Sequence, residues 1–181
     1  MASSPPLQLL LIAAVLAFLS PAAVVASSGD LKRTHIRVYM HERFSAGANA
    51  TVATVAPSPL GDNSTFGEVG ALDDELRAGP DAASALVGRY RGVFVGSDLA
   101  EDNYVSAVTV VFDAGEHRGS TLSLQGQYSF PGDNILERAV VGGTGRFRMA
   151  QGYSLLKVVD TPPEASVFQL DLFVFTPRVR Y

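Results

Sequence analysis

Nine short segments rich in β-branched and aromatic residues succeed one another between residues 34 and 175: THIRVYMHERF, TVATVA, GEVGALDD, ALVGRYRGVFVG, YVSAVTVVFD, GSTLSLQGQYSF, RAVVGG, GRFRMAQGYSLLKVVD and SVFQLDLFVF. Such residues suit the pleated backbone and the Gly, Pro, Asn and Asp between them suit turns, so the segments predict strands. Helical periodicity is confined to the first stretch of the chain. About eight strands at this spacing predict an all-β fold, a sandwich or a barrel. Closure into an eight-stranded antiparallel β-barrel removes the sheet edges and leaves an interior able to hold one small ligand.

The first stretch, MASSPPLQLLLIAAVLAFLSPAAVVASS, has an apolar run from Leu9 to Leu19 and small residues at Val24 and Ala26. It predicts a secretory signal peptide over residues 1–26, leaving residues 27–181 as a single β-barrel domain. No later segment reaches the roughly 18 apolar residues of a membrane span, so the expectation is an exported chain without one. The net charge of −4 includes no basic stripe, which argues against nucleic acid as a partner. With no cysteine, disulfides and thiolate metal sites are excluded. Two sequons, Asn49-Ala50-Thr51 and Asn63-Ser64-Thr65, lie in turn-like sequence and are expected to carry glycans after export.

Period-two alternation picks out polar residues on apolar faces. THIRVYMHERF sets Glu42 with Ile36, Val38, Met40 and Phe44. AVVGGTGRFRMAQG reads as two strands around a glycine hairpin, which sets Gln151 with Phe147, Met149 and Tyr153; before the turn, Glu137 shares the parity of Ala139 and Val141. Glu42, Glu137 and Gln151 are therefore candidates for one interior cavity, the alternative for each being a strand-end side chain leaning into water. Tyr104, Phe112, Phe130 and Tyr153 are candidate aromatic linings. Asp73 and Asp74 read as turn and strand-end residues rather than metal ligands, and His117 as a solvated loop residue. His35 and His41 share the presumed outer face, so no metal site is expected. Gly142, Gly143 and Gly145 precede a strand pattern rather than a helix, which disfavours a phosphate loop.

Several of these stretches, in order, resemble the dirigent proteins of plants. MHERFSAGANAT is similar to the family's opening strand, FGEVGALDDELRAGPDAASALVGRYRG to its Asp-Asp, Gly-Pro and Val-Gly-Arg succession, and FDAGEHRGSTLSLQG to its Gly-Ser-Thr-Leu hairpin. VVGGTGRFRMAQGY resembles its most distinctive signature and ASVFQLDLFVF its closing strand. The resemblance implies a lipocalin-like or allene oxide cyclase-like eight-stranded barrel, secreted to the apoplast, glycosylated and trimeric, with no cofactor. It implies that phenoxy radicals, such as those of coniferyl alcohol, or derived quinone methides are made by a separate laccase or peroxidase. The barrel then steers coupling or ring closure to one stereoisomer.

The resemblance further implies a site in which Glu42 and Glu137 donate protons or anchor hydroxyls and Gln151 is a neutral anchor, with Met40, Tyr104, Phe147, Met149 and Tyr153 lining the pocket. The family's pinoresinol-forming members have Asp, Asp and Arg where this chain has Glu42, Glu137 and Gln151. Loss of that cation predicts acids that stay protonated and a preference for neutral phenolics. The family's Ala-Gln-Gly after Val-Gly-Arg is replaced by Tyr90-Arg91-Gly92, a second change at the pocket or its rim. Two rival readings remain open: a defence-associated binding barrel without stereochemical steering, and a lipocalin-like carrier of apolar molecules.

Overall fold

The computed structural model describes residues 31–44, 49–129 and 135–178. Nine strands run in chain order as β1 (Leu31–Arg43), β2 (Val52–Ala56), β3 (Val69–Arg77), β4 (Leu86–Gly96), β5 (Asn103–Phe112), β6 (Thr121–Ser129), β7 (Ile135–Thr144), β8 (Gln151–Asp160) and β9 (Ala165–Pro177). Every neighbouring pair is antiparallel, in the order β1-β9-β8-β7-β6-β5-β4-β3, and pairing of β1 with β3 closes the ring. Eight strands thus form a barrel, and β2 lies against β3 alone beside it. The predicted signal peptide, residues 1–26, lies outside the described residues, as does Phe130.

Closure is shared between two strands. Glu75, Leu76 and Arg77 of β3 pair with β1, whereas Val69 to Leu72 pair with β2. Thr51 bridges the handover: its N–H donates to Arg43 O at 2.8 Å and its own carbonyl accepts from Asp73 N–H at 2.7 Å. The β1 edge is therefore continued across the gap by a residue from the β1–β2 connection, which gives these backbone groups partners where the direct ladder stops.

The core fills the barrel with one parity from each strand. Val38 and Met40 of β1, Leu76 of β3, Val108, Val110 and Phe112 of β5, Leu122 and Leu124 of β6, and Leu170, Leu172 and Val174 of β9 are all buried. One end is plugged from the β7–β8 connection, where Gly145–Phe147 forms a single 3₁₀ turn. Phe147 enters the barrel and packs against Phe112 at 5.6 Å and His117 at 5.0 Å between ring centroids. Gly145, at φ +60°, allows this approach, since a Cβ there would lie 2.6 Å from Ser120 Oγ.

That plug overturns the expected second strand of the hairpin. Residues 145–150 are a turn, Met149 takes φ +61°, and β8 begins only at Gln151. The turn resets the strand's phase, so Ser154 and Leu156 face inward while Gln151 and Tyr153 face out. His117, expected to be solvated, is half-buried at the plug. Its pKa is held below the usual histidine value, chiefly by that burial.

Candidate functional site

At the end opposite the plug the interior turns polar. β3 runs Leu72, Asp74, Leu76 on its inner face, so alternation alone carries Asp74 inside. β4 pairs Tyr90 with Asp74; Phe94 shares the inward parity, and the remaining inward positions, Gly88, Gly92 and Gly96, carry no side chain. Glu42, the last inward residue of β1, stands one step past the final β1–β3 pair, His41 with Glu75. Arg138 lies between Leu136 and Val140 on the inner face of β7 and is 6% exposed.

An aromatic shelf crosses four strands at this end. The Phe94 ring meets Tyr104 edge-on at 5.6 Å, and Tyr104 stacks on Tyr128 at 5.4 Å. The Arg138 guanidinium closes the row 4.7 Å above the Tyr128 ring, within cation–π range. Gly70 makes room for the shelf, because a Cβ there would lie 1.9 Å from Phe94 Cζ. Arg138 Nε also donates to Ser106 Oγ at 2.8 Å.

The two aspartates of LDDE have opposite fates. Asp73 points outward. Its partial burial alone would raise its pKa, but Arg89 at 2.7 Å and Arg91 at 2.9 Å outweigh this and hold it below the usual carboxylate range. Asp74 is 0% exposed, and burial, reinforced by the charge of Glu42, pushes its pKa up to about 8 against the pull of Thr51. Thr51 Oγ1 donates to Asp74 Oδ1, while Oδ2 has no partner among the described residues. With the Thr51 hydroxyl given to Oδ1, Oδ2 is left to hold the proton of a neutral Asp74. Glu42, half-buried, is likewise raised by burial but opposed by Arg138. Of the two acids, the one beside the cation ionises more readily.

Several expected site positions are corrected. Glu137 is exposed on the outer face of β7, because the inward parity belongs to Leu136, Arg138 and Val140. Gln151 is exposed on the outer face of β8, Met149 is 73% exposed in the turn, and Tyr153 stacks outside on Phe173 at 4.8 Å. Phe147 is buried, but at the plugged end rather than beside the polar cluster. Glu42, Met40 and Tyr104 face the interior. The interior does hold a cation, Arg138, so the inference from Gln151 to a site without one fails. Ser106, Tyr128 and Arg138 were missed, Asp74 was read as a turn or strand-end residue, and Tyr90 was singled out only as a change at the pocket or its rim, although Leu72-x-Asp74-x-Leu76 and Leu136-x-Arg138-x-Val140 carry the same signal that singled out Glu42. Two surface clefts, of about 60 and 430 Å³, lie elsewhere, the first by Asn63 and Asp102, the second by Arg118 and Ser120.

A family model described as "Dirigent-like protein" matches residues 33–175, nearly the whole barrel. The chain belongs to the dirigent family. Among curated dirigent relatives, it is 33% identical over 173 residues to pterocarpan synthase 1 of Glycyrrhiza echinata, covering 94% of this chain and 92% of that one. It is 31% identical over 145 residues to dirigent protein 1 of Arabidopsis thaliana, covering 80% and 79%. A solved structure of the pterocarpan synthase dirigent protein GePTS1 superposes with a TM-score of 0.73 at 34% identity, covering 85% of this chain and 90% of that one. No helix among the described residues is long and apolar enough to cross a membrane.

Proposed function

We propose that this dirigent barrel steers the coupling or ring closure of a phenolic intermediate to one stereoisomer, with a separate laccase or peroxidase supplying the oxidation. The observation that carries the reading is two acids of unequal strength facing an aromatic shelf inside a closed barrel. The shelf of Phe94, Tyr104 and Tyr128 suits a stacked phenyl ring and leaves one of its faces covered. A bias of about 1.4 kcal/mol between the two faces already gives a tenfold product ratio, so a few fixed contacts suffice.

For ring closure of a quinone methide, the quinone oxygen takes a proton from Asp74 Oδ2. A hydroxyl oxygen bonds to the methide carbon, and its proton passes to the Glu42 carboxylate. The carbon–oxygen double bond becomes a phenol, no electron leaves the pair of reactants, and proton exchange between Glu42 and Asp74 restores the start. Arg138 keeps Glu42 able to accept. Separating the two acid strengths in this way permits acid and base work at one pH. The pterocarpan synthases among the relatives make ring closure the form to test beside radical coupling.

The test is oxidation of coniferyl alcohol by added laccase, with and without protein, and cyclisation of a preformed phenolic quinone methide, both resolved on a chiral column. One enantiomer should exceed the other in at least one reaction without faster substrate loss. Glu42→Gln should reduce the excess severalfold, while Gln151→Ala, outside the barrel, should leave it unchanged. Racemic products from both reactions refute steering and leave a binding barrel.

Export and glycosylation fit the exposed positions of Asn49 and Asn63. The protein recovered outside a plant cell should start near Ser27 and lose mass on glycosidase treatment. An unshifted mass, or retention of residues 1–26, rejects that part of the proposal. Assembly as a homotrimer is proposed from the family resemblance.

A further inference from the structure

Tyr90 is among the largest fully buried side chains of the protein, 2% exposed, and its hydroxyl has no partner among the described residues. It sits on β4 directly opposite Asp74, whose buried Oδ2 likewise has no partner among the described residues. The charges of Arg138, Asp74 and Glu42 all act on it, so it belongs to the polar cluster. A buried hydroxyl or carboxyl oxygen left unpaired is costly, and few native groups are so placed without a reason. Two such atoms on neighbouring strands, facing one interior, present a paired set of hydrogen-bonding groups to a polar ligand.

We infer that Tyr90 and Asp74 form a hydroxyl-reading subsite, which selects phenolic ligands whose free ring hydroxyl enters the barrel first. The inference rests on the proposed function for the nature of the ligand, and adds the group that enters first and what reads it. Asp74 Oδ2–H donates to the ligand oxygen, and the ligand O–H donates to the Tyr90 oxygen. An ether offers no hydrogen and sets a methyl group beside the two side chains, so Asp74 and Tyr90 can only compete as donors for its one weakly accepting oxygen. Sites built around buried polar groups reject analogues that fail to pair them far more strongly than apolar pockets discriminate by size. Tyr90 also limits depth. Below it the interior is apolar and filled by Leu76, Val110, Leu122 and Leu172, so the phenol head stops at the Tyr90–Asp74 level and the rest of the ligand lies along the shelf.

The experiment measures binding of 4-ethylphenol and its methyl ether, 4-ethylanisole, to the wild-type protein and to Tyr90→Phe, with the melting temperature of each. The wild type should prefer the phenol by at least tenfold. Tyr90→Phe keeps the ring, and should lower that preference about tenfold while melting no earlier than the wild type, since it removes an unpaired buried hydroxyl. Equal affinity of the wild type for the two ligands, or an unchanged preference in Tyr90→Phe, overturns the subsite. Unfolding of Tyr90→Phe also overturns it, because the hydroxyl would then be serving the fold. The assay involves no radical and no chiral product. Racemic products with the phenol preference intact therefore refute only the steering reaction, and an enantiomeric excess without the preference refutes only the subsite.

Discussion

Replacing Asp74 by asparagine should change how stability depends on pH more than any other single substitution in this barrel. The amide imitates the neutral acid: its Oδ1 can still accept from Thr51, and it places a donor where Oδ2–H stood. In the wild type the folded carboxyl titrates at about 8, whereas the unfolded chain titrates near the ordinary 3.8. Below pH 3.8 both states hold the proton and Asp74 carries no penalty. As pH rises the unfolded state ionises while the folded state does not, so stability declines until the folded acid titrates near 8. Each unit of difference corresponds to about 1.4 kcal/mol, so roughly four units give on the order of 5 kcal/mol as an upper bound.

Urea unfolding of the wild type and of Asp74→Asn between about pH 4 and pH 8.5 measures this across the window that the two titrations bracket. The two curves should meet at the acid end and separate with rising pH, the Asp74→Asn variant being the more stable by several kcal/mol at neutrality. Taking the difference removes the contributions of Asp171 and His117, whose lowered values act oppositely, and leaves of Glu42, whose raised pKa acts in the same direction, and of Asp73, whose lowered one opposes it, only their coupling to Asp74. Parallel curves would show that Asp74 ionises normally in the folded protein, and would remove the proton donor from the mechanism.

The plug gives a further expectation. Phe147→Ala should cost about 3–5 kcal/mol in chemical denaturation, as expected for a buried aromatic leaving a cavity between Phe112 and His117. It should leave any enantiomeric excess of the folded protein nearly intact, because the polar cluster lies at the other end. A loss below about 1 kcal/mol, far under the range for such a truncation, would mean that the turn closes nothing.

The barrel itself was legible because its signals are redundant: many strands of similar length, turn formers at regular intervals, and no competing helical period. Side-chain direction was legible only where a strand is uninterrupted. β1 alternates without a break, so Ile36, Val38, Met40 and Glu42 fall on the inner face. Between β7 and β8 the sequence continues to look like strand, but Phe147 turns into the barrel on a 3₁₀ turn and Met149 crosses to positive φ. A single lost register inverts every residue that follows, which moved Gln151 and Tyr153 to the wrong side. Glu137 failed differently: its run was short, and the apolar neighbours that share its parity, Ala139 and Val141, are themselves exposed. Asp73 and Asp74 looked like a turn because of their composition, although the flanking leucines at 72 and 76 place the second of them in the core. Acid strength could not be read from such a pair at all, since it follows from which side of a two-sided wall each carboxylate occupies.

Thr51 carries a consequence for how such a barrel diversifies. It belongs to the connection between β1 and β2, not to the closed wall, yet its hydroxyl decides which oxygen of Asp74 keeps the proton. Lengthening, shortening or redirecting that connection would swing or withdraw the hydroxyl while every residue of the wall stays the same. The direction of the acid is thus adjustable from a connection outside the closed wall, and reaction preference can drift without disturbing the packing that holds the barrel shut.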